Sequence, residues 1–122
     1  MNTKKDILIN TVNSFYNSER IKLIELYRDP NFSAIEKTKL ADFSLKLKSN
    51  ARAAIVPMLK DVFGIEHSET LWYETAEKLP DVNYVYAGRN GKNTALNANC
   101  RSLKSWGNRL YIILSQSLNT RL

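Results

Sequence analysis

Histidine, cysteine and proline are scarce in this chain, and carboxylates are missing from its last third. The only histidine is His67, so no histidine pair can hold zinc, and neither a Cys-x-x-Cys nor a His-Glu-x-x-His arrangement is present. The only cysteine, Cys100, excludes an internal disulfide and fits a reducing compartment, so the expected location is cytoplasmic. Helical spacing puts Cys100 with Leu96, Leu103 and Trp106, which favours a packed thiol over a nucleophile paired with His67. No stretch approaches the roughly 20 apolar residues that span a bilayer. The opening "MNTKKDILINTVNSF" sets two lysines before an apolar segment, but Asp6, Asn10, Thr11, Asn13 and Ser14 interrupt it, so no export signal is read. "GRNGKN" lacks the third glycine and the Lys-Ser/Thr ending of a phosphate loop, and the twelve acids show no diagnostic pairing. A non-enzymatic protein with no metal and no cofactor is therefore expected.

What is present is a segregated charge. Residues 1–81 hold twelve Lys/Arg and all twelve Asp/Glu, whereas residues 82–122 hold Arg89, Lys92, Arg101, Lys104, Arg109 and Arg121 with no acid. The whole net charge of +6 thus belongs to the last third. A one-sign segment on a folded domain concentrates anions, nucleic acid and anionic lipid among them. A membrane surface fits poorly, because no segment joins a large apolar face to a lysine-rich opposite face.

The apolar spacing predicts a mainly α protein: a single helical domain over 1–122, with five or six helices and a short strand or hairpin near residues 82–92. Thr3 and Asp6 match a capping box, and Ile7, Leu8, Val12, Phe15 and Tyr16 follow at helical spacing towards Asp29-Pro30. Ser33 and Glu36 match a second capping box, before Ile35, Leu40, Phe43 and Leu47. Pro57 predicts a kink or a fresh start, and Gly64 a left-handed terminator. Ser68 is expected to cap "ETLWYETAEKL", which Pro80 ends. "VNYVYAG" changes period and reads as a strand or extended arm, followed by an Asn-Gly turn. Asn93 or Thr94 is expected to cap a helix from about Ala95 to Trp106, closed by Gly107. The aromatic and β-branched content of "RLYIIL" favours a strand, while Leu110, Ile113, Leu114 and Leu118 favour a further helix, which is the expectation.

On that helix Asn97, Arg101 and Lys104 fall at i, i+4 and i+7, opposite the apolar side. Arginine pairs two acceptors on guanine and asparagine does so on adenine, so this is a composition suited to a major groove. Asn93 and Thr94 at the helix start suit a phosphate, and Arg89, Lys92 and Arg109 suit the flanking backbone. A lysine-rich segment, Lys37, Lys39, Lys46, Lys48 and Arg52, would extend that track if it lay alongside.

"TALNANCRSLKSWGNRLY" resembles the second half of the helix-turn-helix of LysR-type regulators, with Ala95, Leu96, Asn97, Arg101, Leu103, Gly107, Arg109, Leu110 and Tyr111 in similar places. The resemblance covers fewer than twenty residues. It departs from the family where thirteen residues, 80–92, replace a tight turn. It implies that the residues matching the recognition helix read bases. The expected function is a DNA-binding regulator or accessory factor in transcription, with duplex DNA the preferred partner and RNA a further one through Tyr84, Tyr86 and Trp106. The alternative is an inhibitor or adaptor that docks its basic face on an acidic protein or on the nucleic-acid channel of a larger enzyme. A homodimer is also expected.

Overall fold

The computed structural model describes residues 3–88 and 91–121. Among them four helices form, α1 (Lys4–Arg28), α2 (Phe32–Asp61), α3 (Ser68–Glu77) and α4 (Lys92–Arg121), and no strand. Helix α1 packs against both α2 and α4, and the short α3 lies between α2 and α4. The core is a single cluster to which all four helices contribute, with Leu23, Leu47, Ile55, Leu71, Leu103 and Leu114 essentially inaccessible to solvent. Each such side chain contributes about 2 kcal/mol of transfer free energy. No helix among the described residues is long and apolar enough to cross a membrane.

The capping box at the start of α1 forms as expected: Asp6 N–H donates to Thr3 Oγ1 at 3.1 Å, and Thr3 N–H donates to Asp6 Oδ2 at 3.2 Å. The helix then buries Leu8, Val12, Phe15, Leu23, Leu26 and Tyr27 along one side without a break at Asn17-Ser18. Glu19 occupies the same buried stripe, where its Oε1 accepts from Lys22 Nζ at 3.1 Å and from Asn50 Nδ2 on α2 at 3.0 Å.

Four helices stand where five or six are expected, because two breakers do not break. Helix α2 runs through Pro57. The lost amide deprives the Ala53 carbonyl of a donor, but Ala53 and Pro57 are both exposed, so water can serve it. Helix α4 likewise runs through Gly107, which has ordinary helical backbone, so the expected separate helices around it are one. Leu103, Leu110 and Leu114 on both sides of the glycine are buried on a common stripe. Their packing outweighs a propensity penalty of about 1 kcal/mol. Gly64 does terminate α2, with φ +64° and Ile65 N–H bonded back to the Leu59 carbonyl at 3.0 Å.

The expected second capping box does not form. Helix α2 starts at Phe32 with Asn31 before it, and Glu36 turns inward. Ser68 is not the cap of α3 but its first, buried residue, preceded by His67. Asn93 and Thr94 lie inside the first turn of α4, since the helix already begins at Lys92. The stretch read as a strand or an extended arm forms no strand: residues 79–87 carry neither helix nor strand, and they make up the arm that leads to α4. Asn90 of the expected Asn-Gly turn falls outside the described residues, while Gly91 has φ +83°.

Candidate nucleic-acid interface

An extended arm alone in solution would leave its backbone amides to water, and here buried side chains hold it. Asn99, completely buried on α4, accepts from Val85 N–H at 2.7 Å through Oδ1 and donates to Val85 C=O at 3.0 Å through Nδ2. One amide side chain thereby pairs with a residue as a neighbouring strand would. Nδ2 also donates to Tyr27 Oη at 3.1 Å, and the Tyr27 hydroxyl donates to Glu36 Oε2 at 2.7 Å. The same carboxylate oxygen accepts from Ala87 N–H at 2.7 Å. A chain of hydrogen bonds thus joins α1, α2, α4 and the arm, and no buried side-chain nitrogen or oxygen among the described residues lacks a partner. Burial, with Glu36 as hydrogen-bond acceptor, pushes the Tyr27 hydroxyl well above the usual tyrosine range. Lower down, Trp106 Nε1 donates to the Pro80 carbonyl at 2.8 Å.

The arm so placed forms one bank of a groove whose other bank is α4. The groove measures about 550 Å³ and contains Arg101 and Arg109 on the helix side and Asp81 and Asn83 on the arm side. The two arginines are eight residues apart, about 12 Å along the axis. Among the described residues no carboxylate lies within ion-pair distance of Arg101, Lys104 or Arg109. Asp81, exposed, is the only acid among the described residues that lines this groove.

The other expected contact residues are distributed around the same helix. Asn97, Arg101 and Lys104 are exposed and lie within about 60° of one another around the axis, so the ladder exists as a surface feature. About 140° separates Lys104 from Arg109. Lys104 accordingly faces a different groove, of about 230 Å³, whose opposite bank is Asn13, Tyr16 and Asn17 of α1. Lys92, Asn93 and Thr94 are exposed at the helix start, and Lys92 Nζ sits 4.6 Å from the centroid of the Phe32 ring. Arg89 lies outside the described residues.

Of the lysine-rich segment, Lys46 pairs with Asp42 at 3.1 Å and Arg52 forms a two-pronged pair with Glu69, so both charges are locally answered. Lys48 lines a cavity that shares Pro80, Asp81, Val82 and Trp106 with the arginine groove. The aromatics expected to stack on RNA divide. Tyr86 is half-exposed, with Lys37 Nζ 5.4 Å from its ring centroid. Tyr84 is half-buried, and Trp106 is buried, so neither offers a free face of the kind a base needs. Cys100 is half-buried rather than fully enclosed, and burial raises its thiol pKa against the opposing influence of Arg20.

Sequence reasoning missed Asp81 and Asn83 because nothing local marks an arm residue as facing a helix that begins a dozen residues later. It also missed Asn99 and Glu36 as the groove's anchors. The inward position of Asn99 was legible from helical spacing; its partner was not.

Among the described residues the helix-turn-helix implied by the LysR-type resemblance does not form. An extended arm precedes α4 where a tight turn is required, and α4 continues through the glycine at which a recognition helix would end. No family model, no curated protein and no solved structure matches the chain.

Proposed function

We propose that this protein is a non-enzymatic nucleic-acid-binding protein, a regulator or accessory factor that uses the outer face of α4 on duplex DNA in preference to RNA. The observation that carries the reading is that Arg101, Lys104 and Arg109 are exposed on one helix with no ion-pair partner among the described residues. Unpaired cations on a rigid element are free to displace the counterions condensed on phosphates without first breaking a bond of their own. On this reading Asn97, Arg101 and Lys104 face base edges, while Arg109 and Lys92 take the backbone to either side, together with Arg89, Asn93 and Thr94.

The test is retention on random duplex, single-stranded DNA and RNA across a range of salt. Neutralising about four phosphates gives a slope of roughly −3.6 for log affinity against log salt on duplex. Equal retention at low and high salt ends the reading. The competing one, docking on an acidic protein, has a specific observation in its favour: Ile112, 53% exposed, stands on the same face as Arg101. It calls for weak retention that does not depend on the kind of nucleic acid.

A further inference from the structure

The groove between α4 and the arm has a chemistry that the crest of α4 lacks. Two guanidiniums stand on one bank, while a carboxylate and an amide, Asp81 and Asn83, stand on the other, with Val82 and Trp106 supplying apolar surface. A bare anion would gain from Arg101 and Arg109 and lose to Asp81. A ligand that joins an anion to hydrogen-bond donors satisfies both banks at once. Its volume of about 550 Å³ falls in the ordinary range for small-molecule sites. The arm bank is also pre-organised, by the Trp106–Pro80 bond below and the paired Asn99–Val85 bonds above, so little ordering is required of the protein on binding.

Resting on the reading of α4 as an anion-binding face, we propose that this groove binds a single nucleotide unit, its phosphate between Arg101 and Arg109 and a sugar hydroxyl or base amine donating to Asp81. The nucleotide is either free or part of a strand, and the chemistry of recognition is the same in both cases. In a strand, the unit held here is drawn aside from the crest of α4, and Lys48 beyond the arm meets the next phosphate.

The experiment titrates AMP, inorganic phosphate and adenosine into the full chain by calorimetry, with amide chemical shifts of residues 81–85 and 98–109 as the map. AMP is expected to bind more tightly than either fragment. Arg101→Gln and Arg109→Gln are each expected to weaken AMP by about tenfold, the usual cost of a hydrogen bond to a charged group. Asp81→Asn is expected to have opposite effects, weakening AMP and strengthening inorganic phosphate several-fold. All three residues are exposed and form no ion pair, so these variants retain the fold, which thermal melting verifies. Lys46→Gln, on α2 and in neither groove, is expected to leave AMP binding unchanged. No saturable AMP binding up to about 10 mM overturns the inference. So does Asp81→Asn strengthening AMP and phosphate alike, which would mark a plain anionic attraction.

Single-stranded oligonucleotides, with AMP as competitor, distinguish the two sources: displacement by AMP places a strand nucleotide in the groove. If AMP fails to bind while duplex retention stays salt-dependent, the groove inference falls and the nucleic-acid reading stands. If AMP binds and neither single-stranded nor duplex oligonucleotides do, the nucleic-acid reading falls, and the ligand is a free nucleotide.

Discussion

The front of the molecule mixes acids with its bases, whereas α4 carries bases alone. In α1, α2 and α3 three cations have ion pairs, Lys22 with Glu19, Lys46 with Asp42 and Arg52 with Glu69, while others such as Lys39 and Lys60 have none among the described residues. On α4, Arg101, Lys104 and Arg109 stand without such partners among the described residues, although α1 and the arm flank the helix on both sides. Folding could have brought acids from the front over the basic helix and cancelled its field. Among the described residues only Asp81 lines a groove with these cations. The segregation visible along the chain therefore survives in three dimensions, and the positive surface costs stability through self-repulsion.

The contrast breaks most severely where the arm is anchored. Asn99→Leu removes both bonds to Val85 and one to Tyr27, leaving backbone groups of the arm without partners inside the protein. It is expected to cost about 3 kcal/mol in urea denaturation, with the arm amides losing exchange protection first. A loss below about 1 kcal/mol would show that the arm is held by its apolar residues instead.

A smaller effect sharpens the comparison of charges. Arg109→Gln, at a position read as contacting the backbone, is expected to reduce the salt slope on duplex by about 0.9, as one fewer counterion is displaced. Arg52→Gln, which removes an equal charge already paired with Glu69, is expected to leave the slope unchanged. Equal changes in the two variants would mean that total charge, not the unpaired face, attracts the nucleic acid.

Gly107→Ala tests whether the middle of α4 needs its glycine. A methyl group there meets nothing within 4 Å, and the backbone is ordinary helix, so the variant is expected to gain about 0.5 to 1 kcal/mol in thermal or denaturant unfolding. A loss would show that the glycine serves a close approach at the α1 side.

The last effect is absent at neutral pH and grows above it. Burial raises the pKa of Cys100, Tyr27 and Tyr84 in the folded protein, the charge of Glu19 adding to the shift at Tyr84. Each group stays protonated in the fold at a pH where the unfolded chain has begun to lose its proton. Their contribution is complete below the unfolded values, about 8.5 for cysteine and about 10 for tyrosine, and is lost as pH rises through the folded ones. Melting temperature is thus expected to be insensitive to these groups near pH 7 and to fall from about pH 9 upward. Tyr27→Phe and Tyr84→Phe together should flatten the alkaline part of the curve.

Several particular residues show how far the chain could be read unaided. Thr3 and Asp6 formed their capping box because both partners lie within one helical turn. Ser33 and Glu36 have the same spacing and did not, because Ala87 N–H, 51 residues away, and the Tyr27 hydroxyl claim the Glu36 carboxylate inside the protein. Pro57 and Gly107 read as breaks, since local propensity disfavours helix at both. Burial of apolar residues on either side kept the helices whole. For the site, the outward ladder of Asn97, Arg101 and Lys104 followed from helical period alone. The groove did not, because half of it belongs to an arm with no period to read.

From its order of residues alone, this chain specified an α-rich protein, the turn that starts α1, the glycine that ends α2 and the acid-free last third. All of these depend on neighbours within a few positions or on simple counting. Only the tertiary structure decided that the arm lies along α4, that Asn99 and Glu36 are its anchors, and that Arg101 and Arg109 share a groove while Lys104 faces another. Hydrogen bonds across 14, 51 and 72 residues settle those matters, and no local rule reaches so far.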